Sequence, residues 1–92
     1  MNQVDIVYSG RAVKFIEKNQ HLISFEDADK LIIAAIRKLM GEAQNIDLIK
    51  MKGKYKNHYG IRKGDLRLIF FLEFGYIRKV FVEDVNLRGN IY

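Results

Sequence analysis

Apolar residues alternate with Asp5 between Val4 and Tyr8, which predicts a first strand. Ser9-Gly10 then opens a short helix through about Lys18, with Ala12, Phe15 and Ile16 on its apolar side. Asn19 to Leu22 is a polar break. Ser24-Phe25-Glu26-Asp27 has the Ser-x-x-acid form of a helix start, and Ala28, Leu31, Ile32, Ala35, Ile36 and Leu39 recur at helical spacing behind it. Arg37 and Lys38 suit the last turn, and Gly41 ends the helix. Ile33 and Met40 widen the apolar stripe into a second contact surface.

Beyond this helix the period shortens to two. Ile46–Met51, Tyr55–Lys63, Leu66–Glu73 and Tyr76–Val85 are rich in β-branched and aromatic residues and are expected to be strands. Gly64-Asp65 is a two-residue hairpin loop of the Gly-X kind, and Phe74-Gly75 marks another turn. The fold class is α+β: one N-terminal strand, two helices, then an antiparallel meander with both helices on one sheet face. No linker, repeat or low-complexity tract divides the chain, so residues 1–92 form a single domain.

The hairpin loop fixes the register of the strands on either side. Lys63 faces Leu66, Arg62 faces Arg67, Gly60 faces Ile69 and His58 faces Phe71. Tyr59, Ile61, Leu66, Leu68, Phe70 and Leu72 then share the core face, and His58, Gly60, Arg62 and Arg67 share the other. Directly opposed arginines repel by about 0.2–1 kcal/mol. An anion between them removes that penalty, because paired guanidinium forks match phosphate oxygens. Equally, the two side chains can fan into solvent or pair with Glu73 and Glu83. Gly60 leaves the sheet surface open between His58 and Arg62. Lys50, Lys52, Lys54 and Lys56 share the parity of His58 in an extended chain and form a basic comb leading to this face, or else a solvated edge that resists strand addition. His58 is the better placed of two histidines for proton transfer. The tail ends in Tyr92, which can stack on a base, donate a proton, or simply anchor the terminus. Asp27/Asp29 and Glu83/Asp84 read as helix-start and surface charges.

Composition narrows the class. The 92 residues are 49% apolar and 29% charged, as in a globular protein with one modest core. No cysteine is present, which excludes disulfides and thiolate metal sites. No metal constellation and no phosphate-binding glycine loop is found, and no cofactor is expected. No apolar run approaches the ~20 residues of a membrane span, and no secretory signal is visible, so a cytoplasmic protein with no membrane partner is expected. Sixteen Lys and Arg against 11 Asp and Glu give +5, a mild pointer to a polyanionic partner.

The stretch from Met51 to Tyr92 resembles the RelE/ParE toxin superfamily. The resemblance is carried by Met51-Lys52-Gly53, by Tyr59-Gly60-Ile61-Arg62-Lys63-Gly64-Asp65-Leu66-Arg67-Leu68-Ile69-Phe70, and by the closing Arg88-Gly89-Asn90-Ile91-Tyr92. The N-terminal half agrees in element order. The resemblance implies a RelE-like sheet with two helices on one face, a cognate antitoxin as partner, and a ribosome-dependent mRNA endonuclease that inhibits translation. That reaction is attack of a ribose 2′-OH on its own 3′ phosphate, and it needs a base, cations for the phosphorane charge and an acid at the leaving oxygen. By the same resemblance Arg67 matches the arginine after the hairpin turn, Arg62 and Arg88 match basic positions, and Tyr92 matches the C-terminal tyrosine. The lysines that RelE places on the strand before the turn are here His58 and Gly60, which leaves His58 as the natural replacement base. A ParE-like poison of DNA gyrase and a non-catalytic RNA-binding module are the alternatives on the same scaffold. An antitoxin is expected to cover Ile33 and Met40 on the second helix, and Ile69 and Phe71 on the open sheet face.

Overall fold

The computed structural model describes residues 4–53, 58–72 and 79–87. Within them the chain runs β1 (Asp5–Tyr8), α1 (Gly10–Lys18), α2 (Phe25–Leu39), β2 (Asp47–Lys50), β3 (His58–Lys63), β4 (Leu66–Leu72) and β5 (Lys79–Leu87). The strands make one sheet in the order β1-β5-β4-β3-β2. Strands β2 to β5 form the antiparallel meander, and β1 adds to its far side parallel to β5, with Tyr8 opposite Val82. Each edge strand is only four residues long, which limits pairing with other chains.

Both helices start as their sequences dictate. The Ser9 hydroxyl accepts a hydrogen bond from the Ala12 amide at 3.1 Å and caps α1. At α2, Ser24 Oγ accepts from the Asp27 amide at 3.0 Å while Asp27 Oδ2 accepts from the Ser24 amide at 3.1 Å, a reciprocal capping box. The Ser24 backbone N–H holds the Asp27 carboxyl below the usual carboxylate range. Gly41, at φ 97, ends the run in a conformation L side chains rarely adopt.

One core joins the layers. Ala12 and Ile16 of α1 and Ala28, Ile32, Ala35 and Ile36 of α2 pack with Ile61, Leu68, Phe70, Val80, Val82 and Val85. Tyr59, Leu66 and Leu72 pack against the same cluster, so both helices lie on the sheet face that carries them. Full burial of each large apolar side chain contributes about 1.5–3 kcal/mol. Tyr8 ties β1 to α2: its hydroxyl donates to Asp29 Oδ1 at 2.6 Å, and its ring meets Phe25 edge-on.

The β3–β4 hairpin has the expected register, from Lys63 opposite Leu66 to His58 opposite Phe71, with Gly64 at φ 58 in the loop. Between β4 and β5 the register shifts. Ile69 faces Asp84 but Phe70 faces Val82, so Glu83 is an extra residue in β5. The bulge carries β5 past the expected end at Val85, through Asn86 opposite Arg67 to Leu87 opposite Leu66. The spacing records it: the core positions Val80 and Val82 are two apart, then Val85 comes three later.

Candidate functional site on the open sheet face

The face turned away from the helices carries Asp47 on β2, His58, Gly60 and Arg62 on β3, Arg67, Ile69 and Phe71 on β4, and Phe81, Asp84 and Asn86 on β5. Arg62 and Arg67 are directly opposed, as the hairpin register requires, but their environments differ. Arg62 is exposed, and its Nε donates to Asp47 Oδ2 at 2.7 Å across the β2–β3 pair. Its partner is therefore Asp47 rather than Glu83, which contacts His58. With both side chains about half exposed, such a pair is worth about 0.2–1 kcal/mol.

Arg67 is only 7% exposed. One terminal nitrogen, Nη1, donates to the Leu66 carbonyl at 3.1 Å and lies 3.5 Å from that of Gly64, and its Nε has no hydrogen-bond partner among the described residues. No carboxylate of those residues lies within ion-pair distance of it. A buried guanidinium with an unsatisfied N–H costs stability unless something else recovers it.

His58 is held differently. Its Nε2 contacts Glu83 Oε2, and its ring rests against Phe71 with centroids 4.9 Å apart. Glu83 keeps the surface position expected of it, its side chain 44% exposed, while the bulge brings its carboxylate to the imidazole. Asp84, also expected at the surface, is 3% exposed and lies 3.5 Å from Arg11 Nη1. Neither role was visible in residue type alone, although the three-residue step from Val82 to Val85 was the available signal.

Two expectations for this face are corrected. Gly60 does not leave the sheet open: a Cβ built there would lie 3.0 Å from Met51 Sδ, and Met51 with Ile69 forms a second apolar cluster over the strand. Ile69 is accordingly 1% exposed and offers no surface to a partner. The lysine comb does not form as expected either. Lys50 pairs with Tyr59, so it belongs to the helix-side face, opposite to His58 and Arg62. The chain reverses direction between β2 and β3, and parity counted back from His58 does not survive a reversal. Lys52 is exposed, beyond the end of β2. Lys54, Lys56, Glu73, the Phe74-Gly75 turn, Arg88 and Tyr92 lie outside the described residues.

Nor do His58 and the arginine pair meet. Phe71 and Arg67 are four residues apart on β4, so His58 sits about 13 Å along the sheet from the Arg62–Arg67 pair. Arg67 bonds back toward the hairpin loop, and the Met51–Ile69 cluster lies in the interval. The face thus has an anion-seeking end at Arg67 and a histidine–carboxylate end at His58.

No protein-family model matches the sequence, and no curated protein does. Solved structures do match. A mutant of YafQ from E. coli superposes with TM-score 0.70 over 98% of this chain and 99% of that one, at 18% identity. The YoeB-YefM toxin-antitoxin complex from Staphylococcus aureus gives TM-score 0.67 over 95% and 99%, at 15% identity. The RelB-RelE antitoxin-toxin complex from Methanococcus jannaschii gives 0.61 over 94% of each chain, at 24% identity. The chain has the RelE-like α+β fold of these toxins.

Proposed function

We propose that this chain is the toxin of a toxin–antitoxin pair, a cytoplasmic ribosome-dependent endonuclease that cuts mRNA on the open sheet face. The observation that supports this reading best is Arg67. A buried cation with a spare N–H, on a face shared with a second arginine, is suited to a phosphodiester. A phosphate there gives the Arg67 guanidinium an acceptor once the side chain swings out of its loop contacts, which include no acceptor for Nε among the described residues. It also competes with Asp47 for Arg62, whose exposed ion pair is weak enough to exchange. In the reaction a 2′-OH attacks the adjacent phosphorus, its proton leaves to a base, the 5′-oxygen departs with a proton from an acid, and a 2′,3′-cyclic phosphate remains. Arg67, with Arg62, stabilises the charge on the phosphorane oxygens.

Proton transfer at that phosphate needs groups other than the distant His58, and the family resemblance points to the end of the chain. Leu87 stands opposite Leu66, one position from Arg67, and Arg88 to Tyr92 follow it in sequence. We assign Arg88 to the phosphate and the Tyr92 hydroxyl to the departing oxygen. His58, about 13 Å away, serves a neighbouring nucleotide. A partner antitoxin would cover the exposed apolar residues at the end of α2, Leu39 and the Met40 that follows it, the latter 53% exposed.

The test is to add the purified protein to ribosomes stalled with mRNA in the A site and map the new RNA ends. Cyclic phosphate ends that vanish with Arg67→Ala support the reading. Intact RNA with the wild-type protein refutes it. The separation of His58 from Arg67 favours a second reading, a ParE-like toxin that does not cut RNA. For that one, induced cells lose DNA supercoiling before translation falls.

A further inference from the structure

At the His58 end the open face carries a row of rings. His58 on β3 leans on Phe71 of β4, and Phe71 stacks on Phe81 of β5 at 5.2 Å between centroids and 13° between planes. The Lys79 ammonium lies over the Phe81 ring, 5.7 Å from its centroid. The row crosses three adjacent strands because register places His58, Phe71 and Phe81 side by side. Phe71 and Phe81 are only half-buried and belong to neither apolar cluster of the core. On the β1 side Val7, opposite Phe81, is also solvent-exposed.

The charges on this face decide what fits it. Asp47 faces Arg62, Asp84 has Arg11, and Glu83 contacts His58. Asp5 stands opposite Lys79 at the sheet edge. Among the described residues each of these carboxylates thus has a cation beside it or opposite it, whereas Arg67 has no carboxylate within ion-pair distance. An anion at Arg67 and an uncharged, flat, polarisable group at the ring row, about 13 Å away, complement this surface. A single nucleic-acid strand supplies both, since every base has a π-face and every linkage a phosphate. The interval corresponds to roughly two to four nucleotides, depending on how far the bases unstack.

We infer that Phe71 and Phe81, flanked by His58 and Lys79, are a stacking platform for one unpaired RNA base, on the same strand whose phosphate is held at Arg67. This rests on the proposed RNA-cutting function and adds the element that selects an unstacked base upstream or downstream of the cut. The base extends the ring row, and Lys79 exchanges its place over Phe81 for the phosphate of that nucleotide. The Glu83 contact fixes the His58 ring at the far end of the row. Because bases differ in stacking strength, the platform favours purines over pyrimidines.

The test uses a fluorescein-labelled single-stranded hexanucleotide, 2′-O-methylated so that no attacking hydroxyl remains, and a set of its single-abasic versions. Wild-type protein is expected to bind the hexamer and to lose about tenfold in affinity for one abasic position. Phe81→Leu is expected to lose about tenfold for the intact hexamer and nothing further for that abasic one. Lys79→Gln, an exposed change, should weaken both hexamers equally by a few-fold. In parallel, a hexamer carrying photoreactive 8-azidoadenosine at that position should cross-link wild-type protein at Phe71 or Phe81, a readout that needs no variant to fold. If Phe81→Leu binds as tightly as wild type, or the cross-links fall only elsewhere, the platform is refuted while RNA binding stands. If the wild-type protein does not bind the hexamer, or Arg67→Ala binds it equally well, the RNA reading fails and the platform with it.

Discussion

The Glu83 carboxylate meets His58 because Glu83 is the residue that a bulge adds to β5, and Ser9 pins that bulge. The Ser9 hydroxyl donates to the Glu83 carbonyl at 2.6 Å while accepting from the Ala12 amide, so one side chain caps α1 and secures the irregular point of the sheet. Ser9→Ala should therefore cost more than an ordinary cap, about 1–2 kcal/mol, with Ser9→Thr recovering most of it. Urea midpoints measure both. A loss under about 0.5 kcal/mol would show that the bulge holds without Ser9.

Met51 over Gly60 predicts a coupled pair. A Cβ at position 60 would meet Met51 Sδ at 3.0 Å, with Ile49 O no closer than 4.0 Å. The thioether is flexible and can move, so Gly60→Ala should cost only about 1 kcal/mol, set against the small gain from reduced unfolded-state freedom. Replacing Met51 by Ala removes the obstacle. In Met51→Ala protein the Gly60→Ala change should be neutral or favourable, a non-additivity that a double-mutant cycle reads directly. Additive effects would mean that Met51 does not rest on Gly60 in solution.

Alkaline stability reports on Tyr8. Burial, aided by its hydrogen bond to Asp29, pushes the phenol well above its ordinary value of 10.0. The folded state thus keeps a proton that the unfolded chain gives up near pH 10. The contribution is complete below that pH and declines as pH rises through the alkaline range above it. Tyr8→Phe removes the hydrogen bond, so it should be less stable than wild type at pH 7. It should also show a flatter loss of stability between pH 9 and pH 11, by chemical denaturation at each pH. Parallel curves for the two proteins would contradict the shift.

How far these features could be read from sequence depends on whether a local rule sets them. The helix starts at Ser9 and Ser24 and the hairpin at Gly64-Asp65 were legible, because caps and a two-residue loop act within a few residues. The loop also fixed the opposition of Arg62 and Arg67, since register propagates along a pair that carries no bulge. What failed had to cross a reversal or an irregularity. Lys50 fell on the wrong face because β2 has its own parity. Asp84 looked like a surface charge because the strand irregularity beside it, not residue type, decides its burial, and the contact of the still half-exposed Glu83 with His58 was hidden for the same reason. The Met51–Ile69 cluster depends on how the chain returns from β2 to β3, which periodicity does not encode. Arg62's attachment to Asp47 needed the β2–β3 register, and no turn signal supplied it.

Arg67 separates stability from function most cleanly. Its guanidinium is 7% exposed and, among the described residues, has an unsatisfied Nε and is compensated only by two backbone carbonyls at the hairpin loop. Removing a poorly compensated buried charge is often neutral or stabilising when a side chain of similar volume replaces it. It also ends the like-charge opposition with Arg62, worth about 0.2–1 kcal/mol. Arg67→Met should therefore unfold at the same or a higher urea concentration than wild type, while, on the proposed toxin function, its expression should not produce the growth arrest expected of the wild-type chain. Arg62→Met should blunt toxicity less, because Arg62 already has Asp47, and should leave stability within about 0.5 kcal/mol. A destabilised Arg67→Met protein would mean that the guanidinium supports the fold. A stable one that still arrests growth would remove Arg67 from the site.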